Sequence, residues 1–110
     1  MKKVEAIVRP LKLEEVKVAL GEIGVTGMSV SDVRGYGTSA RHDLRGAVSP
    51  LDTPIRSRIE IVARDEDVEE IVSTIETYAR TGEPGDGLIL VSPMGDAVRV
   101  RTEERGDQVL

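Results

Sequence analysis

Apolar residues recur along this chain with two different periods, and the switches between them mark its elements. Lys3–Arg9 alternates, with Val4, Ala6 and Val8 on one face and Glu5, Ile7 and Arg9 on the other. That is the period-two signature of a strand. Apolar content on both faces predicts a central strand, and Pro10, which cannot donate to a ladder, ends it. From Leu13 to Ile23 the spacing becomes three and four: Leu13, Val16, Leu20 and Ile23 form one stripe, with Glu14, Glu15, Lys17 and Glu22 outside it. This predicts an amphipathic helix, with Gly24 as its left-handed C′ residue. Met28–Tyr36 predicts a second strand whose alternation slips between Val30 and Val33, as a bulge or an edge position would produce.

Thr38–Pro54 has no period, and a stretch this long without one in a small domain is usually functional. Ile55–Ala63 alternates again and predicts a third strand. Asp67 and Glu70 have capping-box spacing at the start of a second helix, whose stripe is Val68, Ile71, Val72, Ile75 and Ala79. Gly82 closes it. Leu88–Ser92 reads as a short buried strand, Pro93–Asp96 as a turn and Ala97–Thr102 as a final strand. Glu103–Leu110 is expected to be a polar, loosely held, flexible tail.

The order β-α-β-β-α-β with an extra strand predicts a single α+β domain over 1–110 of the ferredoxin-like type. In that arrangement two helices cover one face of an antiparallel sheet, with the long loop at 38–54 between strands 2 and 3. A chain of 110 residues has nothing left to cover the other face, toward which Ile7 points. Oligomerisation is therefore expected.

Composition narrows the function. Cysteine is absent, which removes disulfides, thiolate metal sites and thiol nucleophiles. His42 stands alone, so no metal site and no catalytic residue is assigned, and the expectation is that the chain is not an enzyme. No segment has the apolar length of a signal peptide or a membrane span, and a cytoplasmic location is expected. A net charge of −5 and only two aromatic residues, Tyr36 and Tyr78, argue against nucleic acid as a partner.

One stretch does carry chemistry. Thr81–Leu90, TGEPGDGLIL, holds Gly82, Gly85 and Gly87, and a glycine turn can gather backbone N–H groups into an anion-binding nest. It is not a nucleoside-triphosphate P-loop, because no Gly-Lys-Ser/Thr follows. Arg99 and Arg101, two apart, would leave the same face of a strand and supply positive charge.

These residues, with MKKVEAIVRPLKLEEVKVAL, GVTGMSVSDVRGYG, RIEIVARDEDVEEIVSTI and VRVRT, make the chain resemble the P-II signal-transduction (nitrogen regulatory) proteins. The resemblance implies a homotrimer binding an adenine nucleotide (ADP, AMP or ATP) in each cleft between subunits. Gly85, Asp86 and Gly87 would meet the phosphates, Arg99 and Arg101 would neutralise them, and Met28, Ser29, Gly35, Gly37, Glu60 and Val62 would border base and ribose. The long loop, including Thr38, Ser39, Arg41, Arg45 and Arg56, would act on a membrane transporter or metabolic enzyme.

The departures from the family pattern matter. Leu88 stands where the family carries a lysine or arginine after Gly-Asp-Gly, so ATP should gain less over ADP or AMP. Thr38, Ser39 and Ala40 replace arginine, glutamine and lysine, which removes the glutamine that helps hold magnesium and 2-oxoglutarate. The loop has no tyrosine, so tyrosine uridylylation is not available. The pattern is that of a divergent member, of a kind that includes responders to ADP, AMP or bicarbonate. The alternatives are an ACT-like or CutA-like trimer binding a small molecule or metal, or a slow nucleotide hydrolase with Asp86 or Glu60 as base.

Overall fold

The computed structural model of the chain describes residues 1–35 and 54–110. Six elements build it: β1 (Lys2–Val8), α1 (Leu13–Glu22), β2 (Ser29–Arg34), β3 (Ile55–Ala63), α2 (Val68–Ala79) and β4 (Gly87–Pro93). The strands form one antiparallel sheet in the order β2-β3-β1-β4, which makes β1 central, as its two-faced apolar pattern predicts. Val4, Ala6 and Val8 of β1 join Ile59, Ile61 and Ala63 of β3 in a buried cluster. The helices close it with Val16 and Leu20 from α1 and Val68, Ile71, Ile75 and Ala79 from α2. The fold is the expected ferredoxin-like one, with both helices on a single face.

Helix α1 ends as its glycine predicts. Gly24 has φ +97, its N–H donates to Gly21 O at 3.1 Å, and Val25 N–H donates to Leu20 O at 3.0 Å. That pair of bonds is a Schellman motif, which needs a left-handed residue at C′. The expected capping box of α2 is not made: Asp67 gives no side-chain bond. A 3-10 turn at Asp65–Asp67 leads into the helix instead, and its carbonyl at Asp65 receives the N–H of Val68.

The slip in β2 is an edge effect rather than a bulge. Its register with β3 runs without interruption from Ser29↔Glu60 to Arg34↔Ile55. The open face of the sheet carries Ile7, Leu88 and Leu90 beside Lys3, Glu5, Arg58 and Glu60. Leu88 is 59% exposed and Leu90 47%, while Glu60 is bridged by Lys3 and by Arg58, each at 3.2 Å. No helix among the described residues is long and apolar enough to cross a membrane.

The final strand expected over Ala97–Thr102 does not form. Among the described residues, Val98 is the one member of this run with a bridge partner, and that partner is Arg105. Residues 97–106 fold instead into a tight hairpin. Val98 bridges Arg105, Arg99 N–H donates to Glu104 O at 2.9 Å, and Glu103 takes φ +63 at the turn. The tail expected to be loose carries structure too: Gly106–Val109 is a 3-10 turn, Gly106 N–H donates to Ala97 O, and Arg105 pairs with Asp96 at 2.8 Å.

Candidate nucleotide site

The glycine loop sits at one end of the sheet, where β4 begins beside the end of β1. Gly87 pairs with Val8 and has φ +114. A Cβ placed there would lie 1.7 Å from the carbonyl oxygen of Ile7, so only glycine lets these two strands approach. Gly85, at φ +97, is flanked instead by side-chain ends: a Cβ on it would lie 3.2 Å from Nη2 of Arg9 and 3.3 Å from Nη2 of Arg56.

Asp86 turns inward and organises the loop. Its carboxylate accepts the N–H groups of Thr81 and Gly82, each at 2.8 Å, the Thr81 hydroxyl, and Nε of Arg9 at 3.2 Å. Arg9 also donates from Nη2 to Pro84 O at 2.7 Å. The Thr81 hydroxyl, the two N–H groups and the Arg9 guanidinium hold this carboxyl well below the usual carboxylate range. A carboxylate satisfied four times from within the chain braces the loop through its side chain.

The sign of the pH dependence follows. A carboxyl depressed in the folded state stabilises the fold above its unfolded pKa, about 4. That contribution is lost as pH falls through this value toward the lower folded pKa. Asp86→Asn is therefore expected to lower the melting temperature clearly more at pH 7 than at about pH 2, where part of the contribution is already lost. Equal effects at both pH values would show that Asp86 carries no charged brace.

The other expected residues within the described chain are divided between the two ends of the sheet. Gly35 and Arg56 are at the same end as the glycine loop: Gly35 N–H donates to Pro54 O at 3.1 Å and packs on Arg56. Met28, Ser29, Glu60 and Val62 line a cavity of about 720 Å³ together with Lys3, Met94, Val109 and Leu110. Arg99 and Arg101 belong to the 97–106 hairpin beyond β4. The reading that they share one face of a strand is corrected, since they occupy a turn. Gly37, Thr38, Ser39, Arg41 and Arg45 lie outside the described residues.

The two halves of the expected anion site are thus at opposite ends of the sheet. Val8, Gly87 and Ser57 are paired at one end of β1; Lys2, Pro93 and Ala63 are paired at the other. A strand of this length separates them by roughly 20 Å. One chain cannot close the glycine loop on its own arginine hairpin. Sequence reasoning missed Arg9, whose only local signal is its place before Pro10 at a strand end; Arg99 pairs with Glu104 at 3.0 Å.

The chain matches the model of the family described as "Nitrogen regulatory protein P-II" over residues 1–104. A "Nitrogen regulatory protein P-II" of Microchaete diplosiphon is 45% identical over 112 aligned positions, and one of Azospirillum brasilense is 42% identical, each alignment covering all of both chains. The crystal structure of Arabidopsis thaliana PII bound to citrate superposes with a TM-score of 0.81 at 43% identity, over 97% of this chain and 86% of that one. The match in sequence along the whole length and the match in fold agree: this chain belongs to the nitrogen regulatory protein P-II family, and is a signalling protein rather than an enzyme.

Proposed function

We propose that the chain acts as a homotrimeric P-II regulator with an adenine nucleotide in each cleft between subunits. The glycine loop of one subunit would face the 97–106 hairpin of its neighbour. The observation that carries this reading is the separation of the two half-sites along the sheet, each incomplete within one chain. The exposed leucines of the uncovered face supply a surface on which such subunits could pack. In the cleft, the backbone of Gly85, Asp86 and Gly87 approaches the phosphates, Arg99 and Arg101 neutralise them, and Met28, Ser29, Gly35, Gly37, Glu60 and Val62 border base and ribose.

The output is control of a membrane transporter or metabolic enzyme through Thr38–Pro54, in a cytoplasmic protein. A few kcal/mol of differential nucleotide binding between loop states is enough to move such an equilibrium strongly. That a relative has been solved with citrate makes a second, small anion reasonable, and bicarbonate is one of that class. Belonging to the P-II family favours this reading over an ACT-like or CutA-like ligand trimer and over a slow hydrolase.

Leu88 predicts the preference. With no cation directly after Gly87, ATP gains no advantage over ADP or AMP. Calorimetry should show ADP or AMP binding at least as tightly as ATP, and Leu88→Lys should improve ATP binding by roughly tenfold, the value of one added charge-assisted contact. Absence of binding by all three nucleotides would overturn the proposal. An unchanged ATP affinity in Leu88→Lys would remove the account of preference.

A further inference from the structure

Arg99 is already occupied within its own chain. Its Nη1 donates to Oε1 of Glu104 at 3.0 Å, and its Nη2 to the carbonyl oxygen of Val109 at 3.4 Å. The hairpin fixes this pairing through its backbone: Arg99 N–H donates to Glu104 O at 2.9 Å and Glu103 N–H to Arg99 O at 2.8 Å. Thr102 adds its hydroxyl to the same Oε1 of Glu104 at 2.7 Å. That hydroxyl first, and Arg99 after it, hold the Glu104 carboxyl below its ordinary range, so it is anionic at neutral pH.

We propose that Glu104 is a built-in competitor for the nucleotide phosphate, holding the Arg99 guanidinium until a phosphate displaces it, and that this displacement releases the C-terminal turn at Val109. The inference rests on the nucleotide reading above and adds a specificity-determining residue and a structural response to it. The pair is well placed for exchange. The Arg99 and Glu104 side chains are 43% and 39% exposed, and an ion pair that water already reaches holds its partners weakly. A phosphate offers Arg99 more oxygens and more charge than one carboxylate does. When Arg99 turns away, the 3-10 turn at Gly106–Val109 loses one of its ties to the hairpin. Val109 and Leu110 then move at the wall of the cavity that Met28 and Glu60 also line.

Glu104→Gln is the selective test, because the amide keeps an oxygen for Thr102 and Arg99 while removing the charge. The full-length trimer is titrated calorimetrically with ADP as wild type, Arg99→Ala and Glu104→Gln, with melting curves to confirm an unchanged fold. Hydrogen exchange of Gln108–Leu110 is followed with and without ADP. Glu104→Gln should bind ADP roughly three- to thirtyfold tighter, since it removes a negative charge a few ångströms from the phosphate at an effective dielectric between surface and bulk. Exchange at Gln108–Leu110 should rise when ADP binds to wild type. If Arg99→Ala weakens ADP binding but Glu104→Gln binds no tighter than wild type, the competitor is refuted and the nucleotide site stands. If no variant binds ADP, the nucleotide reading and this one fall together. Unchanged exchange in the tail would refute its release.

Discussion

Gly87→Ala is expected to lower the free energy of unfolding by about 4 kcal/mol, combining the strain of a left-handed backbone with overpacking. The position combines φ +114 with a Cβ site 1.7 Å from the Ile7 carbonyl oxygen and 2.9 Å from its carbonyl carbon. Both atoms belong to the central strand, which pairs with β3 on one side and β4 on the other. Moving Ile7 aside would disturb both ladders, so the clash cannot be relieved locally. A loss of this size is a large share of the roughly 5–15 kcal/mol that a domain typically has, about a quarter or more. Gly85→Ala is the matched control, because its Cβ would meet only the movable ends of Arg9 and Arg56. Its cost should be limited to conformational strain, about 1 kcal/mol. Denaturant unfolding of both variants checks the difference, and equal losses would show that the close approach at Gly87 is not the constraint.

Replacing Arg99 and Arg101 together by alanine is expected to weaken adenine-nucleotide binding more than a hundredfold. Two charge-assisted contacts to phosphate, at about 1.5–3 kcal/mol each, account for that factor. Stability should scarcely change, because the bonds Arg99 makes within the chain are solvent-exposed. Calorimetry with ADP, paired with melting curves, separates the two effects. Undiminished binding by a folded double variant would place the phosphates elsewhere.

The elements that could be read from the chain are those whose pattern is set by burial against a single core. The alternation of Lys3–Arg9 and Ile55–Ala63, and the stripes through Val16 and Leu20 or Ile71 and Ile75, report one face against water. They survive in the structure to within a residue or two. Gly24 was legible for a local reason, the left-handed turn that ends α1.

The VRVR run failed as a strand because alternation says which face a strand would show, but not whether a neighbour exists to pair with it. The candidate site divides in the same way. Residue types and spacing pointed to Thr81–Leu90. They could not show that Asp86 is used up inside the loop by Thr81, Gly82 and Arg9, since its bond to Arg9 spans 77 positions. Nor could they single out Glu104 from its neighbour Glu103 as the partner of Arg99, because that contact depends on the turn at Glu103.

The central claim, that each site is built from the glycine loop of one chain and the arginine hairpin of another, is tested most directly by complementation. One variant, Gly85→Asp, places a carboxylate in the loop at a position where φ is already left-handed, a conformation aspartate tolerates better than most residues. The other is the Arg99→Ala, Arg101→Ala double variant. Each should form trimers that bind no ADP. When the two are unfolded, mixed in equal amounts and refolded together, a given interface receives an intact loop half the time and an intact hairpin half the time. About one cleft in four should then bind ADP with wild-type affinity, as head-to-tail assembly requires. Mixed trimers in which no ADP binding returns would contradict a site shared between chains.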